Sequence, residues 1–210
     1  MISNLPFAVI GILGVLFLFS RSSSNHFIDL RERWPYQVAF AGILLTAFGS
    51  SYYHLDPNNA RLVWDRLPIM VAFTATAAAV IAERVHVRTG LLLLPVLLIT
   101  GIASVLQWYA SELRGAGDLR FYAAVQVCST LVLLMVLTFA ARYTRGSDLA
   151  IVVGLYALAK ILETFDKQIF RVEPFVSGHT LKHLVAAGAG YWLLRMLRMR
   201  QPVMADESNR

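Results

Sequence analysis

Cysteine is all but missing from this chain: Cys128 is the single one among 210 residues. An intrachain disulfide and a thiolate metal site are both excluded, and a lone thiol in an apolar run behaves as a small hydrophobe. Any metal must therefore use other ligands. Charge is scarce as well, with charged residues at 15% against 57% hydrophobic, far from the mixture of a soluble domain. There is no internal repeat, no low-complexity stretch and no polar segment long enough for a separate soluble domain. The first apolar run, Leu5 to Ser20, has no basic residue before it and no small-residue cleavage site after it. It reads as a retained helix rather than a signal peptide.

What is present is a series of apolar runs near the ~20 residues that a helix needs to cross a bilayer. Seven spans are expected: Leu5 to Ser20, Gln37 to Tyr53, Leu67 to Ala82, Leu91 to Tyr109, Leu119 to Ala141, Leu149 to Ile169 and His179 to Leu197. Pro35, Pro57, Pro174 and Pro202 fall in connections, Pro68 in a first helical turn where its missing N–H costs little, and Pro95 near the start of the fourth span. The fold class expected is all-α, an integral membrane bundle. Residues 1–200 form one seven-helix domain, and residues 201–210 a short polar tail free to be disordered.

Lys and Arg set the orientation. The connections after spans one, three and five, with the C-terminal end, hold Arg21, Arg31, Arg33, Arg84, Arg88, Arg142, Arg145, Arg195, Arg198, Arg200 and Arg210. The opposite face holds Arg61, Arg66, Arg114, Arg120, Lys167 and Arg171. The positive-inside rule then places the C-terminus in the cytoplasm and the N-terminus outside, in a multi-pass protein of the plasma (inner) membrane. The same bias accounts for the net charge of +6, so basicity gives no ground for a nucleic-acid partner.

The most polar segment joins spans two and three, from Ser50 to Pro68. Ser50 and His54 stand at i and i+4, which places them on one helix face if the second helix continues that far. The last span opens with Ser177-Gly178-His179-Thr180-Leu181-Lys182-His183, and His179 and His183 repeat the i, i+4 spacing that lets two imidazoles converge on one metal. The seven-span layout puts the end of span two and the starts of spans three and seven at one membrane face. Ser50, His54, Asp65, His179 and His183 are thereby brought to that face, the non-cytoplasmic one. Three neutral imidazoles with an open fourth position make a catalytic zinc arrangement, which lowers the pKa of bound water to about 7 and polarises a carbonyl. Asp65 can then serve as general base and Ser50 as donor to a developing oxyanion.

Each residue also has a structural reading. His179 and His183 can be helix-end histidines satisfied by backbone or water. Asp65, just before Arg66-Leu67-Pro68, reads locally as the N-cap of span three. Ser50 alone is a small residue at a helix contact. Tyr52, Tyr53, Trp64, Trp108 and Tyr109 suit an interfacial aromatic belt. It is the shared face that favours chemistry.

Ser50, His54, Asp65, His179 and His183, in this order and spacing, resemble the signature of the alkaline ceramidase branch of a seven-helix hydrolase superfamily that also includes adiponectin-receptor-like proteins. The run from Tyr53 through Pro68 looks like its bacterial members. The resemblance implies Zn2+ held by His54, His179 and His183, with Asp65 activating water against a lipid amide and Ser50 supporting the oxyanion. The substrate would be a ceramide-like lipid in the bilayer, and the products a sphingoid base and a fatty acid. Eukaryotic ceramidases of this kind carry an acidic, tryptophan-containing calcium motif ahead of the first helix. Here Met1-Ile2-Ser3-Asn4 leads straight into span one, so no calcium site is carried over.

Lys160, Glu163, Asp166 and Lys167 crowd two turns of span six, where unpaired charge is costly. Pairing of Glu163 with Lys160 and Lys167 is expected ahead of a proton or substrate path. Lys182 is expected to snorkel to the interface or to lipid headgroups. Two other functions compete with the amidase: a lipid receptor or sensor with a structural zinc, and a transporter using the span-six charges.

Overall fold

The computed structural model describes residues 2–172 and 177–203. Its helices in chain order are α1 (Leu5–Phe19), α2 (Arg33–Leu55), α3 (Asn59–Arg84), α4 (Val87–Leu113), α5 (Arg120–Val136), α6 (Asp148–Thr164), α7 (Asp166–Val172) and α8 (Gly178–Met199), with short 3-10 segments at Ile2–Asn4, Arg21–His26 and Leu30–Glu32. No strand occurs among the described residues. Four helical stretches, Ile2–Phe19, Leu30–Leu55, Asn59–Arg84 and Val87–Leu113, are long and apolar enough to cross a membrane. Pro174 lies outside the described residues.

Several expected boundaries move, each for a local reason. α3 begins at Asn59, not Leu67, because Asn58 caps it by accepting a 3.0 Å hydrogen bond from the Arg61 N–H. Asp65 is therefore not the cap, and Pro68 lies inside the helix rather than in its first turn. Pro57 confines the α2–α3 connection to Asp56, Pro57 and Asn58, and α2 does continue through His54. The fifth span ends early, at Val136, and the sixth is broken at Phe165 into α6 and α7.

α3 is the central helix. Every residue from Ala77 to Arg84 is buried, as expected of a helix covered on all sides. It packs on α2, α4 and α5, while α8 packs on α6 and α1. Small residues let the central helices approach closely. A Cβ at Gly42 would stand 2.7 Å from the backbone nitrogen of Ala72.

The helix ends opposite His54, Asp65 and His183 are closed by buried ions. Glu83 accepts hydrogen bonds from the Tyr36 hydroxyl at 2.8 Å and from Arg200. Glu32, fully buried, accepts from the Tyr143 hydroxyl and from Arg142. Arg200 lies over the rings of Tyr143 and Phe27 at 4.0 and 4.4 Å and donates to the His26 carbonyl at 3.0 Å. Burial and the Glu32 carboxylate push the Tyr143 phenol up, so it stays protonated as the donor. The described start of the tail is not free: Thr144 N–H donates to the Gln201 carbonyl and Val203 N–H to that of Arg142, both at 2.9 Å. Residues 204–210 lie outside the described residues.

Candidate metal centre and its cavity

Three helix ends carry the site. His54 comes from the last turn of α2, His179 and His183 from the first turns of α8, and Asp65 from the second turn of α3. The three imidazoles each present a nitrogen within 4.8 Å of the other two. His54 Nε2 and His179 Nε2 face each other at 3.0 Å, and the ring centroids of His179 and His183 are 4.6 Å apart. Tetrahedral zinc bonded at about 2.0–2.1 Å separates neighbouring nitrogens by roughly 3.4 Å. One facing pair at 3.0 Å and a full set of ligand atoms within 4.8 Å of one another are compatible with that value, and two imidazole nitrogens facing one another need a shared proton or a cation. The residues present fit a metal.

No family model matches the chain, and no curated protein matches it. The site rests on its own geometry.

α8 is aimed by two caps. Ser177 accepts from the Thr180 N–H at 3.1 Å, and Asp166 accepts from the His179 N–H at 2.7 Å. The break between α6 and α7 is what carries Asp166 to that position, so one of the four span-six charges serves to place a histidine. His183 is 4% exposed and its Nδ1 lies 3.3 Å from Ser3 Oγ, while Asn4 Nδ2 donates to Ser51 Oγ at 3.2 Å. The segment before α1 thus reaches both α8 and α2. With Nδ1–H donating to Ser3, Nε2 of His183 keeps its lone pair for a metal. Ser3→Ala is expected to weaken any metal binding at the triad about 10- to 100-fold, measured by competition with a chelator; unchanged affinity would show that this contact does not orient the ring.

A cavity of about 390 Å³ opens beside the histidines. Ser50, Asp65, His179 and His183 border it, as do Arg66 and Lys182, and its deeper wall is mainly apolar, with Ile43, Phe73, Leu133 and Leu193. Asp65 is 8% exposed and Ser50 2%. Ser50 Oγ is buried beside the Asp65 carboxylate yet short of hydrogen-bond geometry, and has no partner among the described residues. Its hydroxyl is available to something in the cavity.

The juxtaposition of Ser50 and Asp65 depends on Gly49, a residue the sequence reading passes over. A Cβ there would stand 1.9 Å from the carbonyl oxygen of Trp64 and 3.4 Å from the backbone nitrogen of Asp65. Pro68 contributes from the other side. Lacking an N–H, it cannot bond the carbonyl four residues back, that of Trp64, which is the oxygen facing Gly49. Gly49→Ala is expected to cost ~1–3 kcal/mol in an unfolding titration, because backbone must move. It should lower any activity of the site further, since α2 carries Ser50 and His54 away from Asp65.

The remaining charges differ from expectation in one partner. Lys160 does pair with Glu163, at 2.8 Å, but the second partner of Glu163 is Lys182 of α8, also at 2.8 Å, in place of Lys167. Lys182 therefore borders the cavity in an ion pair instead of snorkelling outward. Trp108, expected in an aromatic belt, is 1% exposed and lies 3.9 Å from the Arg66 guanidinium; Trp64 and Tyr52 are exposed as a belt requires.

Proposed function

We propose that this chain is a seven-span membrane protein of the inner membrane and a zinc-dependent lipid amidase, cleaving the N-acyl amide of a ceramide-like lipid at its non-cytoplasmic face. The observation that carries the reading is the conjunction of three converging imidazoles, two of which, His179 and His183, border the same largely apolar cavity as Asp65 and Ser50. Asp65 has been relieved of capping by Asn58, and Ser50 Oγ, beside the Asp65 carboxylate, makes no hydrogen bond among the described residues. A purely structural metal site needs neither.

His54, His179 and His183 would hold the zinc, which when bound polarises a carbonyl and makes water acidic enough to ionise near neutral pH. Asp65 takes the proton from the attacking water as its oxygen bonds to the acyl carbon. Ser50 donates its O–H to the carbonyl oxygen as charge collects there. As the C–N bond breaks, Asp65 returns the proton to the leaving nitrogen, giving a free amine and a fatty acid. The apolar wall takes up the acyl chain and keeps bulk water from the amide. Glu163, held between two lysines, is tied up in ion pairs, which speaks against a proton path through α6.

Purified protein is expected to contain close to one zinc per chain and to release fatty acid from an N-acyl sphingoid lipid in mixed micelles. Chelation should stop the release and added zinc restore it. Zinc and lipid bound without any turnover would instead indicate a sensor with a structural metal; protein without zinc affinity would end the reading altogether.

A further inference from the structure

Arg66 is the one cavity cation without an anionic partner among the described residues. Three cations, Arg66, Lys160 and Lys182, border the cavity against two carboxylates, Asp65 and Glu163. Glu163 is shared by both lysines. Arg66 takes part in none of the ion pairs among the described residues. Its guanidinium stacks 3.9 Å from the Trp108 ring centroid and 5.1 Å from that of Tyr122. Those faces fix the plane of the fork and partly offset its desolvation, but they provide no acceptor for its edge. Nη1 is buried with no hydrogen-bond partner.

A buried guanidinium N–H without an acceptor is costly, and an oxyanion is what such a fork fits best. Gln126, which borders the same cavity with Tyr122, donates its Nε2 to the Tyr122 hydroxyl at 3.0 Å, and neither side chain accepts a hydrogen bond from Arg66 among the described residues. A resident divalent cation would make the cavity more positive still. A neutral headgroup can offer a hydroxyl oxygen to the nitrogen but leaves the charge unanswered.

We propose that Arg66 forms a headgroup subsite for an anion, and that the acyl-amide lipid taken by this cavity carries a carboxylate or phosphate on its amine side. The proposal deepens the amidase reading by narrowing its ceramide-like substrate to N-acyl lipids with an anionic headgroup. It rests on that reading for turnover but not for binding.

The test is calorimetric binding to metal-free full-length protein in neutral detergent at fixed salt. The probes are N-palmitoylglycine, its neutral counterpart N-palmitoylethanolamine, and palmitate. Wild type is expected to bind N-palmitoylglycine roughly 10- to 100-fold more tightly than the neutral amide. Arg66→Gln should remove the preference and Arg66→Lys keep part of it, while Arg114→Gln, which deletes an exposed charge at the same end of the bundle, leaves it intact. If Arg66→Gln does not fold, the wild-type ratio together with Arg66→Lys still decides. Equal binding of the two amides, or a preference that survives Arg66→Gln, overturns the proposal. So does Arg66-dependent binding of palmitate with the two amides alike, which would assign the cation to a fatty-acid carboxylate. Failure of the amidase reading looks different: the anionic preference persists and the zinc-loaded protein hydrolyses neither amide.

Discussion

Asp65→Asn is expected to lower amide hydrolysis by about 10²- to 10⁴-fold, the usual contribution of a positioned general base, while zinc content and unfolding midpoint stay at wild-type values. The separation of these readouts is the point of the substitution. Asn has the shape of Asp and can keep its place in the α2–α3 seam, but it cannot take a proton. Were Asp65 a helix cap, the exchange would change stability and little else, yet Asn58 already supplies the cap of α3 and Asp65 lies in the second turn, almost buried. His183→Ala should behave differently, losing zinc and hydrolysis together, because His183 lies in the triad and is the most buried of the three. Full activity in Asp65→Asn would exclude it as the base and return the proton transfer to another group.

The convergence of the three histidines is legible in the sequence because they follow helical periods. Ser50 with His54 and His179 with His183 are one turn apart, so their faces are set once the helices are. Joining the two pairs needs only the expected seven-span layout, which puts the end of the second span and the start of the last at one side of the bundle. The rest of the site depends on contacts between residues far apart in sequence. Nothing local links Ser3 to His183, Asp166 to the His179 N–H, or Arg66 to Trp108. α3 starts eight residues before the expected Leu67 because Asn59 to Arg66 are too polar to extend an apolar run, although they form good helix once Asn58 caps it. Gly49 could be read as one more small residue; only the exposed carbonyl left by Pro68 explains why no larger one fits.

Arg200, one of the basic residues that set the expected orientation, is 1% exposed and bound to Glu83, itself 2% exposed. Glu83→Ala is therefore expected to destabilise the fold by ~3–5 kcal/mol, the typical cost of leaving one partner of a buried ion pair alone. The cost should fall at the high end, because Arg200 Nη2 already has no partner among the described residues and cannot make up the loss. Removing both charges is a different matter. Glu83→Leu combined with Arg200→Met deletes the desolvation of both ions, and should cost much less than the sum of the two single changes, a coupling that unfolding titrations of the four proteins measure directly. Zinc affinity should stay at the wild-type level in every variant that folds, since Glu83 lies eighteen residues beyond Asp65 on α3, roughly 27 Å along the helix. Unfolding of Glu83→Ala at the wild-type midpoint would mean that water reaches these ions, and that the bundle is held at this end by its apolar contacts alone.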